Sequence, residues 1–167
     1  MRLANKHPDL IKSLVLIGAS EDPEPIENIG RYKRLKFTTR WFGLKPLEGQ
    51  VMSIMFGQKF LCDANKDELE EKWRRVLINN NRIGISRAVN SVVNRQGIFG
   101  QLYKIVSPTL IMFVDQDVAT VTQKSGRMKA NIKNSQLIII EDTGHTASVE
   151  EPQAIYVALQ NSYNVLS

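Results

Sequence analysis

The chain has 167 residues with 22 Lys plus Arg against 17 Asp plus Glu, a formal net charge of +5 at pH 7, one cysteine and two histidines. A single cysteine excludes a disulfide scaffold, and the longest apolar runs, residues 110–114 and 137–140, fall far short of the roughly 20 residues of a membrane-spanning helix. The mild basic excess permits an anionic partner without requiring one.

At the start, Met1-Arg2-Leu3-Ala4-Asn5-Lys6-His7-Pro8-Asp9 has no apolar h-region and no small-residue cleavage site, so no export signal is expected and the expected address is cytoplasmic. Ser13-Leu14-Val15-Leu16-Ile17-Gly18 follows, a short apolar run closed by glycine. Thr109-Leu110-Ile111-Met112-Phe113-Val114 and Gln136-Leu137-Ile138-Ile139-Ile140 repeat the pattern near the other end. Continuous apolar runs of this length suit strands buried on both faces of a parallel sheet. Residues 122–132, with Met128 and Ile132 four apart, read as a crossover helix. Glu150-Glu151-Pro152 opens a closing helix carrying Ile155, Ala158 and Leu159, with proline at a first helical position behind two carboxylates.

The middle is written differently. It has no comparable strand run, and helical spacing recurs over 67–77 and 83–93. Pro23, Pro25, Gly30, Gly43, Pro46 and Gly49 punctuate its first half, which predicts several short helices joined by turns. The expected organisation is therefore an α/β core from residues 1–22 and 106–167, interrupted by a helical insertion over 23–105. No internal repeat or low-complexity tract is present.

The chemistry-bearing residues sit just past the strand ends. Val114 is followed by Asp115-Gln116-Asp117, and Ile140 by Glu141-Asp142-Thr143-Gly144-His145. In an open parallel sheet the loops beyond the carboxyl ends of the strands form the ligand crevice. Neighbouring strands lie about 5 Å apart, so an Asp and a His presented from adjacent ends can meet through a hydrogen bond.

Three segments, in this order and spacing, resemble the C-terminal part of a lidded α/β-hydrolase. His7-Pro8-Asp9-Leu10-Ile11-Lys12-Ser13-Leu14-Val15-Leu16-Ile17 resembles the stretch between the family's nucleophile helix and its sixth strand. Pro108-Thr109-Leu110 through Asp117 resembles the seventh strand and its acid turn. Gly144-His145 followed by Glu151-Pro152 resembles the histidine loop and final helix. The resemblance implies a partial α/β-hydrolase fold: the last three parallel strands, flanking helices and a helical lid. It implies Asp117 as the triad acid, with Asp115 the fallback, and His145 as the general base, in the chain order that such enzymes use. The implied reaction is hydrolysis of an ester, lactone or similar acyl bond of a small molecule, closest to small esterases and enol-lactonases, without a cofactor. The chain has Val114 and Val121 where the family usually has Gly and often has Pro.

No nucleophile elbow is present. In the family that strand-to-helix turn lies just upstream of the match to residues 1–6, so triad hydrolysis by this chain alone is not expected. Gly84-Ile85-Ser86-Arg87-Ala88 resembles a relaxed elbow but follows Asn79-Asn80-Asn81-Arg82, not a strand, so Ser86 reads as an ordinary helix serine. Ser20 follows a strand, yet Glu21-Asp22-Pro23 start no helix at once, so it reads as a turn residue. Cys62 reads as a buried or half-buried thiol, and His7 as a surface residue at a helix end. Two histidines and one cysteine in no ligand spacing predict no metal site.

Arg31-Tyr32-Lys33-Arg34-Leu35-Lys36-Phe37-Thr38-Thr39-Arg40-Trp41 interleaves cations with aromatics as nucleic-acid surfaces do. A solvated helix face with its aromatics turned to a pocket explains the same residues, and is the reading preferred here. Without the family's earlier strands, the strand at 14–17 would expose an unpaired edge. That predicts pairing with a complementary N-terminal half or a second copy, and makes a non-catalytic module the alternative function.

Overall fold

Residues 1–118 and 123–162 are described in a computed structural model, the side chains of residues 123–125 excepted. Helix α1 (Arg2–Lys6) and a 3-10 turn (Pro8–Leu10) lead into β1 (Leu14–Ile17). The helices α2 (Ile26–Phe42), α3 (Glu48–Met55), α4 (Gln58–Leu61), α5 (Asp67–Ile78) and α6 (Arg82–Val93) follow. A 3-10 segment (Phe99–Lys104) then precedes β2 (Thr109–Val114), α7 (Gln123–Asn131), β3 (Ser135–Ile140), α8 (Ala147–Glu150) and α9 (Pro152–Asn161). The crossover helix expected from Thr122 starts at Gln123; Thr122 itself, like Val121, lies outside the described residues.

The three strands form one parallel sheet in the order β1-β2-β3. Leu14 pairs with Thr109, Thr109 with Ser135 and Val114 with Ile140, so β2 and β3 end level. Side chains alternate across a strand, and β2 uses both faces. Ile111 packs with Ala4, Leu16, Leu102, Ile105, Met128 and Ile132 on one side. Leu110, Met112 and Val114 pack with Ile140, Ala147, Ile155 and Ala158 on the other. Every residue of β2 is buried.

The other two strands correct the expectation that all three runs are buried on both faces. Val15 is 37% exposed and Ile139 57%. Each belongs to an outer strand, with a neighbour on one side only, so its apolar run is less enclosed than that of the central strand.

The chain divides into two units, Met1–Glu21, Ile54–Lys59 and Ile98–Ser167 in one, Asp22–Ser53 and Phe60–Gly97 in the other. The first holds the sheet. The second is helical, with α2 packed on α6. Helix α6 starts as its sequence dictates, the Asn81 side chain accepting the Gly84 N–H at 2.8 Å as an N-cap. Arg74 on α5 reaches Glu48 at 2.7 Å and also bridges Glu70. No described helix is long and apolar enough to cross a membrane.

Candidate active site

Because β2 and β3 end level, the turns leaving them are bound together. Gln116 N–H donates to the Thr143 carbonyl at 3.0 Å, and Thr143 N–H to Asp115 Oδ1 at 3.2 Å. Asp115 thus serves the backbone of the neighbouring turn. Asp117 turns to the histidine: its Oδ2 lies 2.8 Å from His145 Nδ1. The Asp117 side chain is fully buried and that of His145 is 33% exposed. Val114 sits within β2, fully buried, and the contact forms with valine there.

An ionised carboxylate only accepts hydrogen bonds, so this geometry places the proton on Nδ1 and leaves the lone pair of the neutral imidazole on Nε2. The hydrogen bond to Asp117 holds the His145 pKa above its ordinary 6.5; burial pulls it down by less, and the charges of Asp117 and Glu150 add to the rise.

The surroundings of the pair include residues that sequence reasoning missed. Gly18, closing β1 at φ +51°, lies against both partners. A Cβ there would stand 3.1 Å from Asp117 Oδ2 and 3.3 Å from His145 Nδ1. The glycine that ends the first apolar run was the available signal. Glu150 was read as a helix-start carboxylate, but it ends α8 and is buried. Its Oε2 accepts N–H groups from Gly57 at 2.8 Å and Gly144 at 3.0 Å, and its Oε1 lies 2.9 Å from Thr146 Oγ1. Gln116 Oε1 accepts the Gln58 N–H at 2.8 Å. Residues 54–59 therefore run as a strap bonded to both turns. Nothing in their sequence marks them, because the bonds use backbone groups of Met55, Gly57 and Gln58.

The other candidates are elsewhere. Ser20 is half-buried in irregular chain, and the next helix begins only at Ile26. Ser86 is buried within α6. Cys62 is exposed, contrary to expectation, in a turn after α4, whose buried side chain is Phe60. His7 is exposed at the C-terminal end of α1. Among the described residues no group of three or more His, Cys, Asp or Glu could hold a metal ion. On α2, Lys33, Lys36, Phe37, Arg40 and Trp41, with Ser86, line a cavity of about 430 Å³, and Phe37 and Trp41 are each 62% exposed.

Solved structures of known proteins resemble this fold. A thermophilic esterase from Thermogutta terrifontis matches with a TM-score of 0.86 and 20% identity, over 98% of this chain and 59% of that one. The enol-lactonase from Burkholderia xenovorans LB400 matches with a TM-score of 0.85 and 15% identity, over 97% and 60%. A hydrolase from Pseudomonas aeruginosa PA01 gives 0.81 and 22%, over 96% and 58%. The chain thus spans about three-fifths of the length of these proteins, and at such identities the likeness shows the fold alone. No curated protein sequence matches it significantly. The sequence pattern of the alpha/beta hydrolase fold family matches residues 1–152, and with the parallel sheet and its level strand ends this establishes that the chain belongs to that family.

Proposed function

We propose that this chain contributes the acid and base of a hydrolase that cleaves an ester, lactone or similar acyl bond. The observation that carries the reading is the 2.8 Å contact between His145 Nδ1 and the buried Asp117 carboxylate. Nε2 accepts the proton of an attacking hydroxyl and returns it to the leaving group. Asp117 holds the ring in the required tautomer and stabilises the imidazolium that forms. The helical residues 23–105 act as the lid that selects the acyl group.

The reaction also needs a nucleophile and oxyanion donors. Among the described residues Ser20, Ser86 and Cys62 occupy no strand-to-helix turn. The reading takes these groups from a complementary segment bearing a strand and a nucleophile turn. The test is hydrolysis of a p-nitrophenyl ester and of an enol lactone by the chain alone and joined to such a segment. The chain alone should show no His145-dependent turnover, and the joined protein turnover that falls at least about 10³-fold in His145→Ala. Equal turnover with and without His145 in the joined protein would overturn the reading.

A second reading, a non-catalytic module that pairs through its sheet edge, is favoured by β1, which has a strand neighbour on one side only among the described residues. Light scattering on purified chain tests it: a defined dimer or a complex with a complementary half supports edge pairing, and a stable monomer counts against it.

A further inference from the structure

The backbone approaches itself closely beside His145. A Cβ on Gly144 would lie 2.2 Å from the Gly57 nitrogen and 2.6 Å from the Phe56 carbonyl carbon, so no side chain fits between strap and histidine turn. At this crossing stands one buried carboxylate. Glu150 Oε2 takes both glycine N–H groups, and Oε1 faces the Thr146 hydroxyl. Gly144 and Thr146 are the residues on either side of His145. Thr146 is tied to the strap as well, its N–H donating to the Met55 carbonyl at 2.9 Å and its Oγ1 lying 2.8 Å from the same oxygen.

We infer that Glu150 is a positioning residue for His145, gripping the backbone on both sides of the histidine and fixing it to the strap so that Nδ1 meets Asp117. This rests on the proposed role of Asp117 and His145. Hydrogen bonding sets the position; the charge does not. A carboxamide can make the same contacts: a glutamine oxygen would accept both N–H groups, and its NH2 would donate to Thr146 Oγ1. The single proton of the Thr146 hydroxyl, which can serve only one acceptor, then goes to the Met55 carbonyl. Aspartate cannot do this. It keeps the charge but withdraws the carboxylate by one C–C bond, about 1.5 Å, beyond hydrogen-bond reach of the glycines.

The two substitutions therefore separate geometry from charge. The experiment is NMR of the 15N-labelled chain with His7→Gln, which makes His145 the sole imidazole, reading the Nδ1 proton shared with Asp117 and the titration of the ring. The charged groups around the ring and turn include Asp117 and Glu150, Asp115 on the Thr143 N–H, Glu141 in the turn itself, and the cluster of Lys59, Asp142 and Glu151. Glu150→Gln should keep the downfield Nδ1 proton and lower the titration midpoint modestly, through lost charge. Glu150→Asp should lose that proton and move the midpoint further toward that of a free imidazole. Thr146→Val, a milder change for a case in which Glu150→Asp does not fold, should move the Nδ1 proton upfield. Retention of the signal in Glu150→Asp, its loss in Glu150→Gln, or no shift in Thr146→Val overturns the inference alone. A wild-type chain without the signal, or Asp117→Asn with it, overturns the Asp117–His145 reading itself.

Discussion

At the scale of single residues, His145 links stability to pH. Its folded-state pKa lies above the ordinary 6.5, so the stabilisation from the Asp117 contact is complete below 6.5 and is lost as the pH rises through the folded value. Thermal melts should show a gap between wild type and Asp117→Asn that is wider near pH 6 than near pH 9; a gap that widens with pH contradicts this. The glycines give a second prediction. Gly144→Ala drives a methyl group into backbone at 2.2 Å and should destabilise by about 3 kcal/mol or more. Gly18→Ala meets side-chain atoms of the Asp117–His145 pair at 3.1 and 3.3 Å, not backbone, and must hold φ +51°, a backbone cost of roughly 1–2 kcal/mol. Denaturant titrations rank the two, and equal costs would contradict the close crossing. Asp117 and His145 were legible because they stand three and five residues past the ends of apolar runs of strand length. Glu150 was not: two adjacent carboxylates before a proline look like a helix start, and only the fold shows that the first turns back.

Among the elements, β2 is buried along its whole length and enters both core clusters, because among the described residues it alone has a strand on each side. Leu110→Ala empties a site with no exposed surface and should cost about 2–5 kcal/mol. Val15→Ala on the half-open β1 should cost less than about 1 kcal/mol, since its side chain already meets water. Equilibrium unfolding measures both, and comparable losses would mean that β1 is covered in solution. Apolar runs found all three strands to within a residue, but a run of isoleucines reads the same at the centre of a sheet and at its rim. Ile139 is exposed for that reason. The helices over 67–77 and 83–93 were legible from spacing, and extend only to Ile78 and back to Arg82.

Over the whole molecule, the unit containing the sheet is assembled from three separate stretches of sequence. The order of strands and catalytic-type turns could be read from the chain because it follows local patterns. The strap could not, because its bonds join backbone groups of Gln58, Met55 and Gly57 to side chains 58, 91 and 93 residues away. Gly57 and Gly144 N–H groups share one acceptor oxygen, so they should exchange with solvent through a common opening. Amide exchange by NMR should give them equal opening free energies, and a Gly57 that exchanges far faster than Gly144 would contradict the shared anchor.

The strap also has a consequence for how the protein is made. Synthesis runs from the N-terminus at about 5–20 residues per second, so Gly57 is incorporated roughly 5–19 seconds before Glu150, its partner 93 residues later. Throughout that interval the Gly57 amide lacks its acceptor, while the Gln58 amide gains its own as soon as Gln116 is made. A polypeptide stalled between residues 146 and 150 would therefore hold its histidine turn by the bonds to Asp115, Gln116 and Met55, without the carboxylate that ties Gly144 to Gly57.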